Sequence, residues 1–223
     1  MSAANDAADR LLYDYWRSSA AFRVRIALRL KGLDYEPHAV HLLRDGGQQH
    51  ADAYRVINPQ GLIPALKIDG ALLTQSLAII EYLDEAYPQP PLLPGNAMQR
   101  AAIRSLSLQI ACDIHPLNNL RVLNRLKAQF GAAETQRTAW MQHWMQLGFA
   151  ALEPRLSAMS DGRRHCVGDQ ITMADVVLVP QVFNARRFDL PMDAYPTICR
   201  LSDAAMQLDA FQRAAPQQQP DAE

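Results

Sequence analysis

Four prolines crowd into the middle of this sequence, at Pro88, Pro90, Pro91 and Pro94. None can occupy a helix interior without removing a hydrogen bond and clashing with the preceding turn. Residues 89–95 therefore read as a linker, and the chain changes character across it. Over residues 11–88, short strand-like runs alternate with helical ones. Over residues 96–216 the pattern is helical almost throughout, and no second set of strands is visible. A chain of 223 residues is long enough for two such domains. The expected fold class is α/β for the first domain, a small mixed sheet with helices on its faces, and all-α for the second. Residues 1–10 are expected to be a disordered tail and the glutamine- and proline-rich 217–223 a frayed one.

Within the first domain, residues 11–15 form an apolar and aromatic run that reads as a strand. It breaks at Arg17-Ser18-Ser19, and Phe22, Ile26 and Leu30 then recur at a helical spacing of four. Arg23, Arg25, Arg29 and Lys31 supply much of the polar side of that helix, and Gly32 is placed to end it. Residues 35–41 read as a second strand. Asp69-Gly70 closes a hairpin between residues 62–68 and 71–74, because both residues tolerate the positive φ of a tight turn. Gln75-Ser76 opens a helix carrying Leu77, Ile80 and Leu83. Beyond the linker, helices are expected near 97–111, 116–130, 135–159, 173–187 and 197–214.

Composition excludes several function classes. The formal net charge of −1 provides no footprint for nucleic acid or an anionic membrane surface. No apolar run approaches the roughly 20 residues of a membrane-spanning helix. Residues 1–10 lack the basic-then-apolar order of a signal peptide. Cys112, Cys166 and Cys199 are odd in number and far apart, which reads as reduced thiols in a cytoplasmic protein. The six histidines form no metal set, and His38 and His41, three apart on a strand, face opposite sides.

Three local features carry chemistry, each with a plainer alternative. Pro64 cannot donate to a central ladder and so belongs at a strand start. If its bond to Ile63 is cis, Ile63 can turn its N–H and C=O toward a peptide ligand that adds to the sheet edge. An ordinary trans loop proline is the simpler local reading. Ser18 and Ser19 stand where a helix begins. Either hydroxyl can cap it, and a helix N-terminus with a spare hydroxyl also stabilises a thiolate. Gln75 and Ser76 stand at another helix start, which suits a carboxylate. Thr172-x-x-Asp175 is a capping box and receives no chemistry.

The order of these features, Ser-Ser, then Ile-Pro, then Gln-Ser, resembles the glutathione transferase superfamily. The similarity is closest to its zeta class, which contains maleylacetoacetate and maleylpyruvate isomerases. It is carried by Tyr15-Trp16-Arg17-Ser18-Ser19-Ala20-Ala21-Phe22-Arg23-Val24-Arg25, Asp45-Gly46-Gly47-Gln48-Gln49, Asn58-Pro59-Gln60 and Gln75-Ser76-Leu77-Ala78-Ile79-Ile80-Glu81-Tyr82-Leu83. Downstream it continues through Asp113-Ile114-His115-Pro116-Leu117-Asn118-Asn119, Thr172-Met173-Ala174-Asp175 and Val179-Pro180-Gln181 to Arg186-Arg187-Phe188. The resemblance implies a thioredoxin-like first domain, an all-helical second domain and a homodimer. It assigns Ser18 and Ser19, with Arg17 beside them, to the glutathione thiol. Ile63, through a cis Pro64, would meet the cysteinyl backbone, Gln75 and Ser76 the γ-glutamyl end, and Gln49 a further polar group. His115 and Asn119 are placed near the ligand, although His115 reads equally as a packed residue. Arg17, Arg121 and Arg187 are the guanidiniums for a small dicarboxylate substrate, because guanidinium pairs with carboxylate bidentately. Ala20 departs from animal members, which have cysteine there, so no protein thiol can serve at that position.

The implied reaction is cis–trans isomerisation of a maleyl diacid, maleylacetoacetate to fumarylacetoacetate. Maleylpyruvate isomerisation, general glutathione transfer to electrophiles and a non-catalytic binding module on the same fold are the alternatives. A double bond conjugated to a carbonyl can rotate once a thiolate has added to it, and glutathione would supply that nucleophile without being consumed. A thiol of pKa ~8.5 is about 3% ionised at pH 7, and lowering its pKa by ~2 units yields roughly 25-fold more thiolate. Nucleophilicity falls with pKa by a coefficient of ~0.4–0.5, which removes about eightfold of that. The net gain of about threefold leaves most of the acceleration to positioning and enolate stabilisation, and so to the arginines.

Overall fold

The computed structural model describes residues 9–223. Along the chain these form β1 (Leu11–Asp14), α1 (Ser19–Leu30), β2 (Glu36–Ala39), α2 (Asp52–Ile57), β3 (Ala65–Ile68), β4 (Ala71–Thr74) and α3 (Ser76–Ala86). There follow α4 (Ala97–Leu108), α5 (Leu120–Phe130), α6 (Glu134–Ser160), α7 (Met173–Arg187), α8 (Pro196–Ala205) and α9 (Asp209–Ala214). The chain divides into two compact units. The first holds the described residues up to Pro91 together with Leu208–Glu223, and the second holds Leu92–Gln207.

The first unit is built on a four-stranded sheet in the order β2-β1-β3-β4. β1 and β2 run parallel across the α1 crossover, while β3 pairs antiparallel with both β1 and β4. α1 is enclosed on all sides and packs against α3 and α9, with Phe22, Val24, Ile26 and Leu28 all buried. Gly32, at φ +66°, ends α1. Its N–H bonds to Arg29 O and that of Leu33 to Leu28 O, which satisfies the last carbonyls. The β3–β4 turn places Asp69 and Gly70 at φ +52° and +76°, the left-handed pair that matches strand twist. The hydroxyls of Tyr82 and Tyr87 donate to the Asp69 carboxylate, which ties this hairpin to α3. The bond to Asp69 pushes the Tyr82 phenol up to about 12.

Three expectations need correction in this unit. Arg23, Arg25 and Lys31, expected on the polar side of α1, are buried. Arg23 and Arg25 are only 2% and 0% exposed. Arg25 is held by the Asp14 carboxylate (2.7 and 2.8 Å) and by the carbonyls of Trp16 and Ala214, so its charge is neutralised inside the fold. Lys31 donates to Asp84 and to Pro90 O. The final helix expected over 197–214 is two helices, and α9 belongs to the sheet unit, where it packs on α1 and buries Phe211 and Ala214. Residues 217–223 are anchored rather than frayed, with Gln219 buried and Asp221 accepting from Trp16 N–H. The tail expected over residues 1–10 lies outside the described residues up to residue 8. Arg10 is buried and donates to Asp34 O.

The second unit is helical throughout its regular structure. α4 passes into a π-helical stretch at Gln109–Ile114 and a 3₁₀ turn at His115–Asn118 before α5 begins. The expected helices near 97–111 and 116–130 are thus joined by a widened turn that buries Ile110 and Ile114. Gly148 on α6 makes room for it: a Cβ there would stand 2.3 Å from the Ile114 side chain. α7, buried continuously from Met173 to Val182, is the central helix. Asp175 accepts from the N–H and hydroxyl of Thr172 and from Cys166 N–H, so the capping residue also pins the preceding loop.

Candidate active site

Strand register gathers the sequence-selected residues of the first unit at one end of the sheet. Tyr13 pairs with Ala65 and Ala65 with Thr74, so the chain leaving β1, the chain entering β3 and the chain leaving β4 are neighbours. Arg17-Ser18-Ser19, Ile63-Pro64 and Gln75-Ser76 occupy those three positions. β2 runs parallel to β1, with Asp14 opposite Ala39, so the loop that follows it and carries Gln49 emerges at the same end.

Ser18 is the N-cap of α1, and its Oγ accepts from Ala21 N–H at 3.2 Å. Capping uses a lone pair and leaves the hydroxyl proton to donate elsewhere. Ser19 is the buried first residue of the helix. Arg17 donates through Nε and Nη2 to the Tyr15 hydroxyl at 3.1 and 2.9 Å and stacks over Trp16, 4.6 Å from the ring centre. Its plane is therefore set, and among the described residues its Nη1 has no hydrogen-bond partner.

The Ile63–Pro64 peptide bond is cis. The carbonyl of Leu62, just before it, accepts from the Tyr54 hydroxyl and from Asn58 Nδ2, both at 2.7 Å. Burial pushes the Tyr54 phenol well above its ordinary value. Gln75, at φ +69°, precedes α3, and its amide donates to Gln60 Oε1 at 2.9 Å. Ser76 is buried at the first position of α3, where its hydroxyl accepts from Arg23 Nη1 at 3.3 Å. Gln49 is 6% exposed, and its Oε1 has no hydrogen-bond partner among the described residues. Gly47 lies over it so closely that a Cβ would meet the Gln49 amide at 2.6 Å.

This end of the sheet is thus rich in donors. The N-termini of α1 and α3, helices of 12 and 11 residues, both open onto it with partial positive charge. A hydroxyl stands at each, and one buried acceptor remains unused. The set suits an extended, anionic peptide with a thiol, the donor and acceptor pattern of glutathione. Sequence reasoning overlooked Arg23, which holds Ser76 from below. The available signal was that α1 has apolar residues on every other face, so alternating arginines could not all reach solvent.

In the second unit, Asn119 caps α5 and its Oδ1 accepts from Arg121 N–H at 3.1 Å. Arg121 is exposed in the first turn of α5. Arg187 is the exposed last residue of α7 and lies over the Phe188 ring at 4.8 Å. Arg186, its neighbour, is bound to Asp203 at 2.8 Å. Trp140 on α6 donates to Leu117 O and Gln142 to Phe188 O. The segments bearing Arg121 and Arg187 are therefore anchored at one level of α6, about 3 Å apart along its axis but on different faces. His115 begins the 3₁₀ turn that precedes α5 and is half-buried.

Two family models match: the glutathione S-transferase N-terminal domain over residues 12–91 and the C-terminal domain over residues 146–209. The chain belongs to the glutathione S-transferase family. It is 52% identical to a probable maleylacetoacetate isomerase of Vibrio cholerae, over 95% of this chain and 98% of that one. Among solved structures it is similar to a holo maleylpyruvate isomerase described as a bacterial glutathione S-transferase of the zeta class, with a TM-score of 0.92, 46% identity and coverage of 96% and 100%. A maleylacetoacetate isomerase from Methylobacterium extorquens, solved with malonate and glutathione bound, matches with a TM-score of 0.91, 42% identity and coverage of 96% and 99%.

Proposed function

We propose that this chain is a glutathione-dependent cis–trans isomerase acting on maleylacetoacetate, with maleylpyruvate as the nearest alternative substrate. The observation that carries the reading is the convergence of Ser18, Ser19, Ile63, Gln75, Ser76 and the unpartnered Gln49 oxygen at one sheet end. Relatives of both isomerase names support the reaction, and the relative holding malonate beside glutathione supports a dicarboxylate substrate.

Glutathione, when bound, supplies a thiolate that adds reversibly to the double bond and so permits rotation about it. The protein's own work is binding and orientation. The Ser18 hydroxyl and the α1 N-terminus stabilise negative charge at the thiol. Ile63 supplies backbone groups to the middle of the peptide, and Gln49 accepts an N–H. Ser76, backed by Arg23, and the α3 N-terminus receive a carboxylate. Arg17, Arg121 and Arg187 are the guanidiniums proposed for the carboxylates of the diacid and for the charge that develops on it. His115 and Asn119 are proposed as further ligand contacts.

The chain is proposed to form a homodimer. In support, α4 and α6 line an open groove of about 730 Å³ with Leu108 and Leu147 exposed at 46% and 57%. None of the described helices is long and apolar enough to cross a membrane. Three cysteines without disulfides support a cytoplasmic setting. The deciding experiment measures turnover of both maleyl substrates by purified protein, with and without glutathione. Isomerisation of either that depends on glutathione is expected, and no turnover of either would end the proposal.

A further inference from the structure

The turn between β1 and α1 is held from an unexpected direction. Trp16, two residues before Ser18, has both of its backbone polar groups bound by residues remote in sequence. Its N–H donates to Asp221 Oδ2 at 3.0 Å, and its C=O accepts from Arg25 Nη2 at 3.0 Å. The N–H belongs to the peptide plane shared with Tyr15, and the C=O to the plane shared with Arg17. Both planes are pinned, so the two soft dihedrals of Trp16 are locked. Ser18 N–H then closes the turn onto Tyr15 O at 2.9 Å.

The segment that supplies Asp221 is itself fastened. Gln219 Nε2 donates to the carbonyls of Arg213 and Ala215, which folds the chain back after α9. Arg25 Nε donates to Ala214 O at 2.9 Å. Two residues beyond Asp221, the Glu223 carboxylate accepts from Arg44 and faces His41 Nε2 at 3.3 Å. His41 Nδ1 accepts from the N–H groups of Leu43 and Arg44, so the ring proton sits on the side of Glu223. That loop leads directly into Gly47 and Gln49.

We propose that Asp221 is a positioning residue of the thiol site, and that residues 219–223 act as a strap holding both the Ser18 turn and the Gln49 loop. The inference rests on the glutathione reading of this end of the sheet. A carboxylate accepting a backbone N–H makes a stronger bond than a neutral acceptor. Its effect is leverage: a displacement of about 1 Å at a reacting group can cost on the order of a hundredfold in rate. Asp221 does not itself touch the thiol and acts through Trp16 and Ser18.

The test uses the full chain with Asp221→Ala, Asp221→Asn and Glu223→Ala. The pKa of the bound glutathione thiol is read from thiolate absorbance against pH, beside kcat, the KM for glutathione and the melting temperature. Asp221→Ala is expected to raise the bound thiol pKa by about one unit, toward that of free thiol, and to lower kcat by about tenfold. The KM for glutathione should stay within about twofold. Asp221→Asn keeps an oxygen acceptor for Trp16 N–H and is expected to restore most of kcat and of the thiol pKa. Glu223→Ala is expected to raise the KM for glutathione severalfold with the thiol pKa unchanged, and it carries the test if Asp221→Ala does not fold. Wild-type thiol pKa and kcat in Asp221→Ala would overturn the proposal, as would equal impairment of the alanine and asparagine variants. Absence of glutathione binding by the wild type would instead overturn the reading of the site on which it rests.

Discussion

Replacing Arg25 by methionine removes a cation that has no access to solvent. The wild-type guanidinium makes two bonds to Asp14 and one each to Trp16 O and Ala214 O. Methionine fills a similar volume, so little cavity term is expected. The main cost is the stranded Asp14 carboxylate, for which breaking a buried pair typically costs 3–5 kcal/mol. Two orphaned carbonyls add about 1–3 kcal/mol each where water cannot reach them. Relaxation offsets part of this, and a net loss of about 4–6 kcal/mol is expected at neutral pH. Burial already holds the Asp14 carboxyl above the ordinary carboxylate value, against the pull of Arg25. Without Arg25 the shift is larger, so the folded protein holds a proton that the unfolded chain has released. Stability of the variant therefore falls as pH rises above about 4. The assay is urea unfolding of wild type, Arg25→Met, Asp14→Asn and the double variant across acidic to neutral pH. The double variant carries no stranded charge and is expected to be more stable than Arg25→Met alone. A neutral-pH loss below about 1 kcal/mol, or a loss independent of pH, would refute the assignment of Arg25 as the neutralising partner of Asp14.

Ser18→Ala is expected to lose about 1 kcal/mol of stability with its cap, and turnover as well, whereas Ser19→Ala should leave the cap intact. Parallel melting and kinetic measurements separate the two serines, and equal, negligible effects on turnover would show that neither hydroxyl serves the thiol. Arg121→Ala and Arg187→Ala are each expected to cost roughly 2–4 kcal/mol in kcat/KM for a maleyl substrate. Conjugation of a neutral electrophile should hardly change, and an equal loss for both substrate types would make these arginines structural. Gly148→Ala, which drives a Cβ into Ile114, is expected to lower stability by about 1–3 kcal/mol, measurable as a drop in melting temperature.

The sequence by itself determined the architecture. The proline cluster separates an alternating strand-and-helix segment from a helical one, because proline's missing N–H and fixed φ act locally. The Asp69-Gly70 turn and the stop at Gly32 were legible for the same reason: a positive φ is a property of one or two residues. The candidate site was legible as an order of motifs, Ser18-Ser19, Ile63-Pro64 and Gln75-Ser76, at element boundaries. Strand register brings these boundaries to one sheet end, since antiparallel and parallel neighbours place the entry to one strand beside the exit from the next.

Tertiary structure alone decided the fate of the charges and of the end of the chain. Local periodicity treats every arginine on α1 as solvated, and only long-range partners tell Arg25 from Arg29. Asp14, Trp16 O and Ala214 O surround Arg25, and none lies within a helical turn of it. Likewise α9 and residues 215–223 look like a continuation of the helical half and a loose tail. Their apolar and carboxylate groups find partners on α1 and around Trp16, up to 205 residues away in the chain. Contacts at such separation leave no periodic trace in sequence, because the spacing between partners is set by the path of the folded chain rather than by any local repeat.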